Sequence, residues 1–304
     1  MRTRSLPLLI FFFIAALIIP TPSPGAHRAQ VSERQITIAV LGFADTGIGR
    51  QTASSLAATL RAFPNLSLVD PDQARAAATG AGYAASLNMS LTEARTLGAA
   101  IGSDFYMLGE AQTLRRSPST GPRYFESYAS IFLVSSRSGR LVTWERPSFQ
   151  AATPAAAEKQ LLATITDGDF ARRTQTAIHR AQEEERTARE MAIEKGTPVI
   201  EAAPADDTAA ETQGVRLPRP YRRLQPAYPD SAARAEVEAV VDVLVDLDAD
   251  GEVSHVEVAR WAGFGLDQVT LDTVRQLHFF PALRNGTPIP LRVLLRYNFR
   301  KPPR

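Results

Sequence analysis

Asp246, Asp248, Asp250, Gly251 and Glu257 stand in "DLDADGEVSHVE" at the spacing of a calcium loop. That spacing gathers carboxylate oxygens around a turn glycine, because a hard cation takes about six to eight oxygen ligands. A calcium hand also requires a helix on each side of the loop. Upstream, however, Val237, Ala239, Val241, Val243 and Val245 share one parity while Glu238, Asp242 and Asp246 share the other, and "EVSHVEVAR" downstream is β-rich. A period of two reads as strand. The expected structure is a hairpin turned through Asp-Ala-Asp-Gly, with Gly251 free to take positive φ and Asp248 and Asp250 favouring the turn. No metal is expected there.

Other chemistry is sparse. His27, His179, His255 and His278 never fall at a metal-ligand spacing such as HExxH, and no GxSxG nucleophile elbow is present. The chain has no cysteine, which excludes disulfides, thiolate metal sites, a cysteine nucleophile and a lipidated amino-terminal cysteine. The glycine-rich "GFADTGIGR", Gly42 to Arg50, follows a strand and precedes a helix, where phosphates meet helix N–H groups. Walker spacing from Gly42 puts Ile48 at the lysine position, and dinucleotide spacing from Gly47 and Gly49 ends on Thr52. A strand-to-helix turn is expected, with no catalytic residue, no cofactor and no enzyme.

The whole chain bounds the remaining choices. At 304 residues, 44% of them hydrophobic, it is long enough for two domains. Its 34 basic and 32 acidic residues leave a net charge of +2 with scattered arginines, so no nucleic-acid groove is expected. At the amino terminus Arg2 and Arg4 precede an apolar run from Leu6 to Ile19. As a helix that run reaches about 21 Å at ~1.5 Å per residue, short of a ~30 Å hydrocarbon core. The reading is a secretory signal over 1–26, with an inner-membrane anchor at residues 6–19 as its alternative; either places the bulk of the chain in the periplasm.

Residues 31–170 read as an α/β domain. "ITIAVLGF" is a buried strand, and Ala53, Leu56, Ala57 and Leu60 form the apolar stripe of the helix that follows. Asp70 with Pro71, and Ser90 with Glu93, open two further helices. The strands "DFYMLGEA", "RYFESYASIFLVSS" and "RLVTWE" come next, the last two joined by a turn at Arg137 to Gly139. Beyond Ala151, Leu161, Ile165 and Phe170 are expected to pack back on this domain. Residues 171–215 read as helix followed by a flexible linker, because Gly196 to Gly214 is poor in large apolar residues.

The final stretch, 216–304, combines the hairpin with an amphipathic helix carrying Leu266, Val269, Val274 and Leu277. An Asn285-Gly286 turn follows, then a strand in which Leu291, Val293, Leu295, Tyr297 and Phe299 alternate with Arg292, Arg296 and Asn298. With Gln225-Pro226-Ala227-Tyr228-Pro229 upstream, "DADGEV" and "VRQLHFFPA", residues 216–302 resemble the TonB carboxy-terminal domain. The "IAVLGF", "LSLVD" and "LGAAIGSDFYMLGEA" stretches, within 34–165, resemble the CsgG family and its TolB-amino-terminal-like relatives. The fold class expected is therefore α/β plus α+β: an exported two-domain protein, with a CsgG/TolB-N-like domain ahead of a small TonB-C-like sheet and its packed helix.

The TonB resemblance implies binding by strand addition, in which a short peptide of an outer-membrane transporter pairs with an exposed sheet edge. The partner-binding residues it nominates are Gln225, Pro226, Tyr228 and Pro229, together with Leu291, Arg292, Val293, Leu294, Leu295 and Arg296 of the edge strand. Arg292 and Arg296 either suit an acidic peptide or guard the edge against aggregation, and Tyr228 is either a contact or a core anchor. Energy-transducing members of the family use a histidine-bearing membrane helix docked to a proton channel, whereas Leu6 to Ile19 holds no ionisable group. An inner-membrane proton-channel complex is thus a partner only if the amino terminus is retained. The alternative function is a passive periplasmic assembly or scaffold protein of the cell envelope, and self-association is left open.

Overall fold

The computed structural model describes residues 35–195 and 200–301, and the segment read as a signal or anchor lies outside them. Among the described residues no helix is long and apolar enough to cross a membrane. The first half runs β1 (Ile36–Val40), α1 (Gly47–Arg61), β2 (Leu66–Leu68), α2 (Pro71–Gly80), β3 (Met89–Ser90), α3 (Leu91–Ile101), β4 (Phe105–Arg116), β5 (Tyr124–Ser135), β6 (Leu141–Glu145) and β7 (Ser148–Ala151). Two helices, α4 (Pro154–Thr166) and α5 (Gly168–Lys195), follow.

The local signals act as read. Asp70 accepts the N–H groups of Asp72 and Gln73 with Pro71 at the first helical position, and Ser90 and Glu93 form a reciprocal capping box. The helical crossovers leave β2, β1 and β4 parallel, after which β4, β5 and β6 run antiparallel, in the order β2-β1-β4-β5-β6 with β7 also on β5.

Because strand side chains alternate, this sheet serves two cores. Ile38, Val40, Phe105, Met107, Ile131 and Leu133 face α1, α4 and α5, where Leu56, Leu161, Ile165, Phe170 and Ile178 are buried with them. Ala39, Leu41, Tyr106, Leu108, Phe132 and Val134 face the other way, into a cluster shared with the carboxy-terminal half.

That half contains α6 (Asp207–Thr212), β8 (Val215–Arg216), β9 (Arg219–Pro220), α7 (Asp230–Ala235), β10 (Ala239–Leu247), β11 (Val253–Trp261), α8 (Leu266–Val274), β12 (Phe279–Phe280), β13 (Ala282–Arg284), β14 (Thr287–Ile289) and β15 (Leu291–Phe299). Its main sheet has the order β15-β10-β11-β3, so the short β3 of the first half closes one side at Arg260 and Trp261. Val241, Val243, Val245 and Leu247 are buried in one cluster with Leu266 and Val274 of α8.

Trp261 carries the junction between the halves. Its ring stacks on Phe132, and Phe264 meets both Phe132 and Trp144. Gly263 has φ 73, and a Cβ there would lie 2.5 Å from the Phe132 ring, so the close approach requires glycine.

The linker expectation needs correction. The helix over Gly168–Lys195 buries Ala177, Ile178 and Ala181 against the first half. Farther on, Glu201 to Ala203 pairs with β15, Ala210 of α6 is buried, and Val215 pairs with Arg284. Low apolar content misled the reading because residues 201–215 are held by backbone hydrogen bonds and small side chains, which composition does not weigh; residues 196–199 lie outside the described ones.

Candidate functional site

The nominated edge strand, β15, pairs in unbroken antiparallel register with β10, from Ala239 opposite Phe299 to Leu247 opposite Leu291. In such a pair alternate residues direct both backbone groups toward the partner strand. Arg292 directs its own outward: its N–H donates to the Glu201 carbonyl at 2.8 Å, and its carbonyl accepts from the Ala203 N–H at 2.7 Å. The same parity turns the backbone groups of Leu294, Arg296 and Asn298 outward, and among the described residues no backbone partner meets them. The rim is thus occupied at Arg292 by the chain itself and open along the rest. The expectation of a wholly free edge is corrected to that extent.

The nominated side chains separate by face. Leu291 is buried, and Val293 and Leu295 pack half-buried on the core. Arg292, Leu294 and Arg296 lie on the opposite face, where Leu294 is 53% exposed. Neither arginine is unpaired. Arg292 donates from Nε and Nη2 to the two carboxylate oxygens of Asp246, at 2.5 and 2.8 Å, and Arg296 does the same to Asp242 at 2.7 and 3.0 Å. These fork-on-fork hydrogen bonds raise the pKa of both guanidinium groups. Asp242 also lies 3.6 Å from Arg260, which reaches Glu93 of the α3 cap at 3.0 Å. The Ser90 backbone N–H first, then the Ser90 hydroxyl and Arg260, hold the Glu93 carboxyl below its usual range. The arginines' first task is therefore to cover two carboxylates that are almost buried in the sheet.

Gln225 is exposed and Pro226 half-buried in irregular chain, and Pro229 precedes α7. Tyr228 anchors the module: its hydroxyl donates to the Val237 carbonyl at 2.5 Å, and its ring lies 6.4 Å from Phe299. This segment therefore sits by the Phe299 end of β15, while the self-paired Arg292 lies near the other.

The acidic loop is the expected hairpin turn. One oxygen of Asp248 accepts the N–H groups of Asp250 and Glu252, both at 2.9 Å, and Gly251 has φ 86. Glu257, which would close a calcium cage, bonds Arg140 at 2.5 Å. No group of acidic, histidine or cysteine side chains placed to hold a metal occurs among the described residues.

Sequence reasoning missed Glu201, Ala203, Asp242, Asp246 and Arg284 as parts of this edge. A signal was available for two of them: Asp242 and Asp246 have the same spacing as Arg292 and Arg296, on strands that pair.

Residues 224–300 match the model of the family described as Gram-negative bacterial TonB protein C-terminal. Protein TonB of Xanthomonas campestris pv. campestris strain B100 is 36% identical over 75 residues, which are 24% of this chain and 34% of that protein. The same figures hold for protein TonB of strain ATCC 33913. The match therefore spans about a third of the length of these curated relatives. Among solved structures, the Pseudomonas aeruginosa TonB CTD is similar at 22% identity and a TM-score of 0.25, covering 29% of this chain and 89% of that one. Lipoprotein GNA1162 from Neisseria meningitidis is similar at 15% identity and a TM-score of 0.31, covering 43% of this chain and 94% of that one.

Proposed function

We propose that this chain is a TonB-like protein of the periplasm that binds an extended segment of an envelope partner by adding it as a strand to β15. The observation that carries the reading is the outward parity of Leu294, Arg296 and Asn298, whose backbone groups meet no backbone partner among the described residues. Such a row of N–H and C=O groups supplies affinity through main-chain hydrogen bonds, and the exposed Leu294 supplies an apolar contact for a partner side chain. The family match over 224–300 supports an outer-membrane transporter as the kind of partner and coupling to energy-driven transport as the role.

The test is site-specific photocrosslinking from Leu294 and Arg296, with Ile193 on the exposed face of α5 as control. Adducts that map to a short extended segment of an envelope protein, formed from β15 and not from Ile193, support the reading. Equal crosslinking from all three positions, or adducts confined to folded surfaces, contradicts it.

A second reading, a passive envelope scaffold, is favoured by one observation. Trp261 and β3 join the carboxy-terminal sheet to the first half through a shared core, which suits a rigid assembly component. Loss of envelope assembly with transport intact, in cells lacking the protein, distinguishes this reading from the first.

A further inference from the structure

The chain's own contact with β15 shows what this edge accepts. Ala202 pairs with Arg292 in a parallel bridge. Two backbone hydrogen bonds, of 2.7 and 2.8 Å, hold the flanking residues, and the Glu201 carboxylate accepts from Arg284 at 2.6 Å. The ion pair is part-exposed, with 38% of the Arg284 and 48% of the Glu201 side chain open to solvent, so it adds selectivity more than strength.

The pairing ends where the sequence ends it. One further step of a parallel ladder would set residue 204 opposite Leu294, but Pro204 leads directly to Asp206, whose side chain caps α6 by accepting the Ala209 N–H at 2.8 Å. Ala210 then buries α6, drawing the chain away from the rim. The remainder of β15 is left without a partner on that side among the described residues.

We propose that Glu201 to Ala203 is a built-in occupant of the β15 edge, and that the partner segment replacing it runs parallel to β15 and sets a carboxylate against Arg284. This rests on the strand-addition reading above and names the partner's direction, its charge and its competitor. Because the competitor is tethered, its effective concentration is high, and a free partner binds with an affinity reduced by the fraction of chains whose edge is closed. A partner longer than three residues gains what the occupant cannot reach, the outward groups of Leu294, Arg296 and Asn298.

The test uses the full chain and a synthetic peptide of its residues 200–206, Ile-Glu-Ala-Ala-Pro-Ala-Asp. Ala203→Pro removes the N–H that bonds Arg292, and the double variant Glu201→Arg with Ala203→Pro also reverses the charge facing Arg284. Unchanged β10 amide shifts certify the fold. The peptide is expected to bind the double variant at least ~10-fold more tightly than the unaltered chain. Replacing its glutamate by glutamine, or Arg284→Gln in the protein, should weaken binding about 2- to 5-fold. Equal binding to the unaltered and double-variant chains overturns the inference and leaves strand addition standing. Indifference to the peptide glutamate overturns the charge requirement. Binding to neither chain, with the Arg292 amide of the double variant unshifted at millimolar peptide, overturns the inference, while strand addition at Leu294, Arg296 and Asn298 stands or falls by the crosslinking from β15.

Discussion

Trp261 stacks on Phe132 with ring centroids 6.0 Å apart, and its indole N–H donates to the Gly139 carbonyl at 2.9 Å. The two residues belong to different halves of the chain, so this contact makes their stabilities interdependent. Trp261→Ala is expected to cost about 3–5 kcal/mol by cavity formation and the lost hydrogen bond. Urea unfolding of the unaltered protein should then give coincident fluorescence and far-ultraviolet circular dichroism transitions. Two separated transitions, with only the second sensitive to Trp261→Ala, would contradict a shared core.

The Asp246 side chain is only 6% exposed, and Arg292 covers it with two hydrogen bonds. Arg292→Ala strands a carboxylate in the sheet, and since the guanidinium itself is partly solvated the expected cost is about 1–3 kcal/mol. Asp246→Asn in the Arg292→Ala background should recover part of that loss, because a neutral amide is cheaper to leave unpaired. Chemical unfolding of the single and double variants measures the coupling, and strictly additive effects would refute it.

Burial pushes the Asp267 carboxyl up to about 6, although the Ala262 and Gly263 N–H groups, both at 2.8 Å, pull it the other way. A carboxyl whose folded pKa exceeds its unfolded value of 3.8 favours folding most when protonated. Its contribution is fully present below about pH 4 and is lost as pH rises through about 6. Asp267→Asn removes this dependence. The stability of Asp267→Asn relative to the unaltered protein should therefore improve by up to about 3 kcal/mol between pH 4 and pH 7. Urea titrations at both pH values check this, and a difference that is flat or falls with pH contradicts it.

The acidic turn carries a separate expectation. Asp248→Ala removes the acceptor for two turn N–H groups and should cost about 1 kcal/mol. Micromolar calcium should give no binding heat with either form of the protein. Heat that Asp248→Ala abolishes would restore the calcium reading.

Much of this was legible from local chemistry. The Ser90 and Glu93 capping box, the Asp70 cap, the alternating valines of β10 and the Asn285-Gly286 turn each carry their structural cause within a few residues. What escaped is long-range. Two residues at Met89 and Ser90 are too short to signal a strand, yet they pair with β11, more than a hundred and fifty positions away. Glu201 to Ala203 has no pattern of its own, because a backbone pairing carries no side-chain period. The arginines of β15 look like ligands for a partner only while Asp242 and Asp246 are taken as the polar parity of their own strand, without the neighbouring strand that sets them opposite Arg296 and Arg292.

Amide hydrogen exchange of the unliganded full chain reads the rim of β15 residue by residue. Val293, Leu295 and Tyr297, whose amides face β10, should exchange slowly, and Arg292 should be protected together with Ala203. Leu294, Arg296 and Asn298 should exchange at least ~100-fold faster than their neighbours, as outward amides open to water do. Uniform slow exchange along the strand would mean that the rim is already covered, and strand addition would have no place to occur.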